Sequence, residues 1–316
     1  MIKFKKLPAI VLAVSIMLAL SACSTANNAP AASKQTLNIG AVASVDVIPI
    51  IIADEKGYFK EEGLDVSFQP FKSSKDRDAA FQGGTLDGII CDEIAVCLYQ
   101  NAGLDVKITG ITDGDFMLIA GPQSGIKAVG DMKGKSIAIS EKTAIEYTLD
   151  KILEGNSMKP EDVQKSVIPA IPTRLEMLRN NKVDAALLPE PFSTLAIKDG
   201  GILLGSASQL ASYPSVTAFM QKAIDSKSSE IQSFYRAYNK AADYINNTPV
   251  SEYEDTIIKT VGYPDDMKGK IVLPKFRKNA LPPEEEVSSV IDWATNKGLV
   301  TKALTPKALM NDIGIK

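Results

Sequence analysis

The side chains able to hold a polar solute gather where predicted strands run out. Ser44 and Asp46 follow the first strand, Ser73 and Ser74 the second, and Cys91, Asp92 and Glu93 the third. Thr112 to Asp115, with Asp113 among them, follow the fourth. Later in the chain Thr143 opens a helix, and Glu190 leaves the last clear strand with Phe192 close behind. Hydroxyls and carboxylates so placed can hydrogen-bond or ion-pair with a ligand. Each taken singly fits a helix cap or a solvated loop equally well, and only the shared position singles out the set.

Chemistry beyond binding lacks its residues. The 316-residue chain has no histidine, which removes Ser-His-Asp and Cys-His nucleophiles, His-ligated zinc and any imidazole base. Its 3 cysteines cannot build a four-thiolate metal site or a disulfide framework, and Cys91 and Cys97 read as buried free thiols. Asp113-Gly114-Asp115 lacks the remaining ligands of a calcium loop. Gly130 to Ser136 (GDMKGKS) precedes its strand, whereas a phosphate cradle lies between strand and helix. No catalytic residue, metal or cofactor is expected. A balance of 35 basic against 38 acidic residues also argues against a nucleic-acid partner.

The elements that would position these groups alternate. Strands are expected over Thr36 to Val42, Leu64 to Phe71, Leu86 to Ile90 and Leu104 to Ile111, with helices between them. Gly-Leu-Asp-Val occurs at 63–66 and 103–106, each time where a helix stops on glycine and a strand begins. The pattern resumes with Lys135 to Ser140, Gln164 to Pro169 and Val183 to Leu188. Thr143 with Glu146, and Thr173 with Glu176, read as capping boxes. From Ser226 onward the chain reads as helical, and Trp293 falls on an amphipathic helix as a core residue. Alternating units of this kind imply α/β architecture with parallel sheets, and two runs imply two α/β lobes.

The first residues read as an address. Lys3, Lys5 and Lys6 precede an apolar run from Leu7 to Ala22, short for a membrane span and suited to a signal peptide. It ends in Leu20-Ser21-Ala22-Cys23, which resembles a bacterial lipobox with Cys23 as the lipidated residue. Residues 23–34 read as a tether. Removal of residues 1–22 takes three lysines and no acid, leaving 32 basic against 38 acidic.

The segment Asp46-x-x-Pro49 through Ala53-x-Glu55-Lys56-Gly57-Tyr58-Phe59-Lys60-Glu61-Glu62-Gly63-Leu64-Asp65-Val66 resembles the SsuA/NMT1/THI5-like solute-binding proteins of ABC importers for nitrate, sulfonates, taurine and thiamine precursors. Asp78 to Gly84 (DAAFQGG), Asp131 to Lys135, Arg174 to Leu178 and Val183 to Ala186 add to the resemblance. It implies a type II periplasmic-binding-protein fold hinged by two crossing strands, Phe116 to Gly121 and Ser215 to Met220. Lobe one would comprise 35–116 with 217–316, and lobe two 117–216. It also implies a monomer, anchored to the cell membrane by lipid alone, that hands a small molecule to a permease and its ATPase. A ligand-dependent sensor is the alternative of another class. A pyrimidine-synthase-like enzyme would need histidine that the chain does not have.

Ligand charge follows from counting. The acids Asp46, Asp92, Glu93, Asp113, Asp115 and Glu190 stand against Lys72, Lys142 and Arg174. An anion buried among unmatched carboxylates is costly. The count therefore favours an amine-bearing, pyrimidine-like ligand, with Phe116, Tyr147, Phe192 or Tyr213 to stack on its ring. A sulfonate, nitrate or other small anion, held on hydroxyls and amides alone, is the alternative.

Overall fold

Alternation of apolar and polar side chains sets Leu37–Val42 (β1) beside Val66–Phe71 (β2) as parallel neighbours. Between them Pro49 sits in the first turn of Ile48–Glu55 (α1), a position where its missing N–H costs nothing. Ser74–Gln82 (α2), Gly88–Asp92 (β3), Glu93–Asn101 (α3) and Val106–Ile111 (β4) continue the unit. The computed structural model describes residues 35–315, so the leader, Cys23 and the whole tether lie outside the described residues. Among those residues no helix is long and apolar enough to cross a membrane.

The second run comprises Phe116–Ala120 (β5), Ser136–Ile139 (β6), Ala144–Gly155 (α4), Gln164–Val167 (β7), Ile171–Arg179 (α5), Ala185–Pro189 (β8), Phe192–Lys198 (α6) and Ile202–Ser206 (β9). Ser215–Met220 (β10) then returns to the first sheet, and Ser228–Asn247 (α7), Glu254–Val261 (α8) and Glu284–Asn296 (α9) follow. The sheets have the orders β2-β1-β3-β10-β4 and β7-β6-β8-β5-β9. Both lobes are therefore α/β, as expected, with α7 packed on α1 and α9 on α3.

The sheets are mixed rather than parallel. β10 runs antiparallel to β3 and β4, and β5 antiparallel to β8 and β9. The reason is the entry side. The other strands run toward the cleft, whereas β5 and β10 each enter their sheet from the opposite lobe and run away from it. Each lies within a single sheet, and the chain passes between lobes in residues 112–115 and 207–214.

Local differences have local causes. Gly63 and Gly103 both take positive φ (62° and 88°), as the repeated tetrapeptide requires. Thr173 is no cap: Pro172 fits the first turn of α5, so the helix begins at Ile171 and Thr173 lies inside it. β9 escaped the sequence reading because it is an edge strand with Ile202 and Leu203 exposed, which blurs the alternation.

Candidate functional site

Where the strand ends of the two lobes face each other, a cavity of about 60 Å³ opens among Ser44, Asp46, Ser74, Arg77, Cys91, Asp92, Phe116, Thr143, Arg174 and Ser215. The lobes meet beside it, where the Ile171 amide donates to the Lys72 carbonyl at 3.4 Å. The volume equals that of about two waters. A larger groove of about 760 Å³ between α4 and α9 lies away from the strand ends. The smaller cavity is where parallel strands and helix N-termini converge, so it is the better ligand site.

Its carboxylates are already engaged. Asp46 accepts from Tyr213 Oη at 2.7 Å, Ser215 Oγ at 2.7 Å and Thr112 Oγ1 at 3.2 Å. Thr112 and Tyr213 belong to the two passages between lobes, so Asp46 ties both passages to the start of α1. Gly114 lets them approach, since a Cβ there would stand 2.3 Å from Tyr213 Oη and 2.7 Å from Asp46 Oδ1. Burial raises the Asp46 carboxyl, with those three donors opposing it. Asp92 caps α3, accepting from the Ala95 amide at 2.8 Å. Burial pushes it up to about 6, against the opposing pull of Arg77.

Two arginines carry the positive charge. Arg77 on α2 and Arg174 on α5 each stand four residues past a cap residue, Ser73 and Ala170. Each donates to a strand carbonyl: Arg77 to Ile90 O at 2.9 Å, and Arg174 to Leu187 O at 2.6 Å. They differ in counter-charge. Arg77 also binds Asp78 Oδ1, at 2.7 and 2.9 Å. Burial would depress it, but Asp78 and its other neighbours outweigh that and raise it. Arg174 is 2% exposed, and among the described residues it makes no salt bridge and its Nε has no hydrogen-bond partner. Burial alone pushes it down to about 9, which leaves it cationic at neutral pH. A buried cation without a counter-charge at a cavity wall suits an anionic group.

The sequence-based set divides accordingly. Ser44, Asp46, Ser74, Asp92 and Thr143 line the cavity. Ser73 instead caps α2 and bonds Asp76, and Asp113 pairs with Arg277 Nε at 2.6 Å. Glu190 accepts from Thr194 and so serves α6. Phe192 packs in the apolar cluster around α5. Glu93 is fully buried and lines a different cavity. Of the aromatic residues, Phe116 lines the site against Tyr213, with ring centroids 4.7 Å apart. Tyr147 packs on Trp293, which is core as expected. Cys91 and Cys97 are buried and unbridged. Arg77 and Ser215 are not among the site residues expected from sequence, where Arg174 enters as a charge and as part of the family resemblance but not as a ligand contact. The signal lay in the recurrence of arginine at one offset in each lobe.

A family model described as NMT1/THI5 like matches residues 44–252. A Bacillus subtilis protein named as an aliphatic sulfonates-binding protein is 26% identical over 96% of this chain and 93% of its own. Among solved structures, the alkanesulfonate-binding protein SsuA of Xanthomonas axonopodis pv. citri, bound to MOPS, superposes with a TM-score of 0.75 at 17% identity, covering 88% of this chain and 99% of its own. The periplasmic aliphatic sulphonate binding protein SsuA of Escherichia coli gives 0.73 at 18% identity, covering 88% and 92%. The fold is theirs.

Proposed function

The chain belongs to the NMT1/THI5-like family, and from that premise we propose that it is the solute-binding component of an ABC importer, capturing a sulfonate or similarly small anion between its two lobes. The observation that carries the ligand class is Arg174, buried without a counter-charge at the wall of the cleft. The names of its relatives point the same way. The amine-bearing ligand expected from counting carboxylates loses support, because Asp92 caps a helix, Asp46 binds hydroxyls, Asp113 pairs with Arg277 and Glu93 lines a different cavity. Ser44, Ser74 and Thr143, with Arg77 and Arg174, are the proposed ligand contacts.

A thermal-shift series tests this, since a ligand that binds only the folded state stabilises it by RT ln(1 + [L]/Kd). Short alkanesulfonates or nitrate should raise Tm and an aminopyrimidine should not. Stabilisation by the aminopyrimidine alone would overturn the reading.

The sign of the pH dependence provides a second check. Asp92 titrates at about 6 beside the site, and it carries its negative charge above that value. Anion affinity should therefore rise several-fold as pH falls from 8 to 5, with proton uptake on binding. A cationic ligand would show the opposite slope in calorimetry across that range.

The proposed location is extracytoplasmic, with Cys23 lipidated, residues 23–34 as tether, and a permease with its ATPase as partners. Changing Cys23 to Ala should abolish acyl labelling and release the protein from membranes. A processed Cys23→Ala form that stays membrane-bound would refute the anchor.

A further inference from the structure

Behind the ligand cleft lies a second cavity, of about 210 Å³, that the proposed capture of an anion does not use. Its walls are α3, the N-terminal end of α9, and both passages between lobes, through Gly114 on one and Ser208, Ser212 and Tyr213 on the other. Glu93, the first residue of α3, is 0% exposed, and neither of its carboxylate oxygens has a hydrogen-bond partner. Glu286 of α9 lines the same space: burial raises its carboxyl, opposed by the Arg277 charge, by Ser212 Oγ at 3.5 Å and by the Tyr213 backbone amide. The cation at the rim, Arg277, pairs with Asp113 through its Nε at 2.6 Å and its backbone amide at 2.7 Å, and its charge also reaches Glu286. The cavity thus joins two acids, one of them wholly unpartnered, to room for several waters.

We propose that this cavity binds one partly hydrated monovalent cation, sodium or potassium, between Glu93 and Glu286. Carboxylate and water oxygens suit a hard cation. A divalent ion would need more charged ligands, and among the described residues no group of three or more acidic, cysteine or histidine side chains is placed to hold one. With the cavity empty, burial first, then Glu286 and Asp92, drive Glu93 to keep its proton. The cation takes the place of that proton. The site also bears on the cleft, because Tyr213 lines the cavity while its hydroxyl holds Asp46. An ion here would fix the passages about which the lobes move, so ion and solute would favour one another reciprocally.

Two measurements test it: melting in sodium, potassium or choline chloride at equal ionic strength, and anomalous diffraction from crystals soaked in thallium(I), a potassium mimic. The expected result is a higher Tm in one alkali chloride than in choline, and a thallium peak between Glu93 and Glu286. Glu93→Gln should abolish both. Should that variant fail to fold, Glu286→Gln should still weaken the alkali effect. Equal Tm in all three salts with no peak would overturn the proposal and leave Glu93 as a neutral acid. An alkali effect or peak that persists in Glu93→Gln would overturn it as well. Neither failure touches the anion reading of Arg174.

Discussion

Arg174→Met should bind a short alkanesulfonate about 30- to 5,000-fold more weakly than the parent, the equivalent of roughly 2–5 kcal/mol for truncating one partner of a buried charge pair. The free protein should lose nothing, and its Tm should stay level or rise. Arg174 is 2% exposed with a single hydrogen bond, to Leu187 O, and an orphan Nε. A methionine of similar length removes the desolvated charge while filling much of its volume, an exchange that is often neutral or stabilising. A residue kept for the fold would behave differently, since its loss would lower Tm and leave the affinity of the surviving folded molecules intact. Titration calorimetry and melting curves on the same preparation separate the two. Arg77→Met should be costlier to the fold, because it strands Asp78, which also accepts from Tyr99 Oη at 2.6 Å.

Asp150→Ala should destabilise the protein by about 3–5 kcal/mol, the usual cost of removing one member of a buried ionic cluster. Asp150 is 0% exposed and accepts from Lys165 at 2.7 Å, Lys297 at 2.9 Å and Trp293 Nε1 at 3.1 Å. Its removal leaves two lysines facing Glu146 alone. Lys297 and Trp293 come from the α9 segment that packs on α3, whereas Asp150 and Glu146 lie on α4 and Lys165 on β7. The cluster therefore straddles the two lobes, and its loss should loosen closure as well as folding. Denaturant melts should show the first effect, and small-angle scattering a larger radius of gyration for the second. A loss below about 1 kcal/mol would mean that solvent already screens the cluster.

Acid should act through the same cluster. Burial raises the Glu146 carboxyl, but the Lys142 amide, Lys297 and Lys165 outweigh it and hold it at about 2. Because the folded pKa lies below the unfolded one, this contribution is complete above about 4.5 and is lost as pH falls toward 2.

The lobes were legible because βα units announce themselves locally. Alternation marks β1 and β2, serine and threonine mark helix starts at Ser73 and Thr143, and the glycines at 63 and 103 mark the turns. Strand direction was not legible. β5 and β10 have the same apolar character as their parallel neighbours, and only their arrival from the other lobe makes them antiparallel. The Thr173 capping box failed because Pro172 one position earlier already satisfies the first turn.

The site was half legible for a related reason. Position at a strand end found Ser44, Asp46, Ser74, Asp92 and Thr143, but it cannot reveal which lone pairs are spent. The Asp46 oxygens are taken by Thr112, Tyr213 and Ser215, distant in sequence. Arg77 and Arg174 look like ordinary helix-surface residues, because what buries them is a strand carbonyl 13 residues further on. Counting charges without that pairing favoured an amine, whereas the pairing favours the proposed anion.

The central claim, that an anion is held between the lobes on Arg174, is tested most directly by a crystal structure of the protein grown with a short alkanesulfonate. The account predicts the sulfonate in the cavity between β3 and α5, with an oxygen within hydrogen-bonding distance of Arg174 Nε and hydroxyl or amide contacts from the first lobe. A sulfonate bound elsewhere, or a cleft that leaves Arg174 Nε unpaired while an amine sits on Asp46 and Asp92, would contradict it.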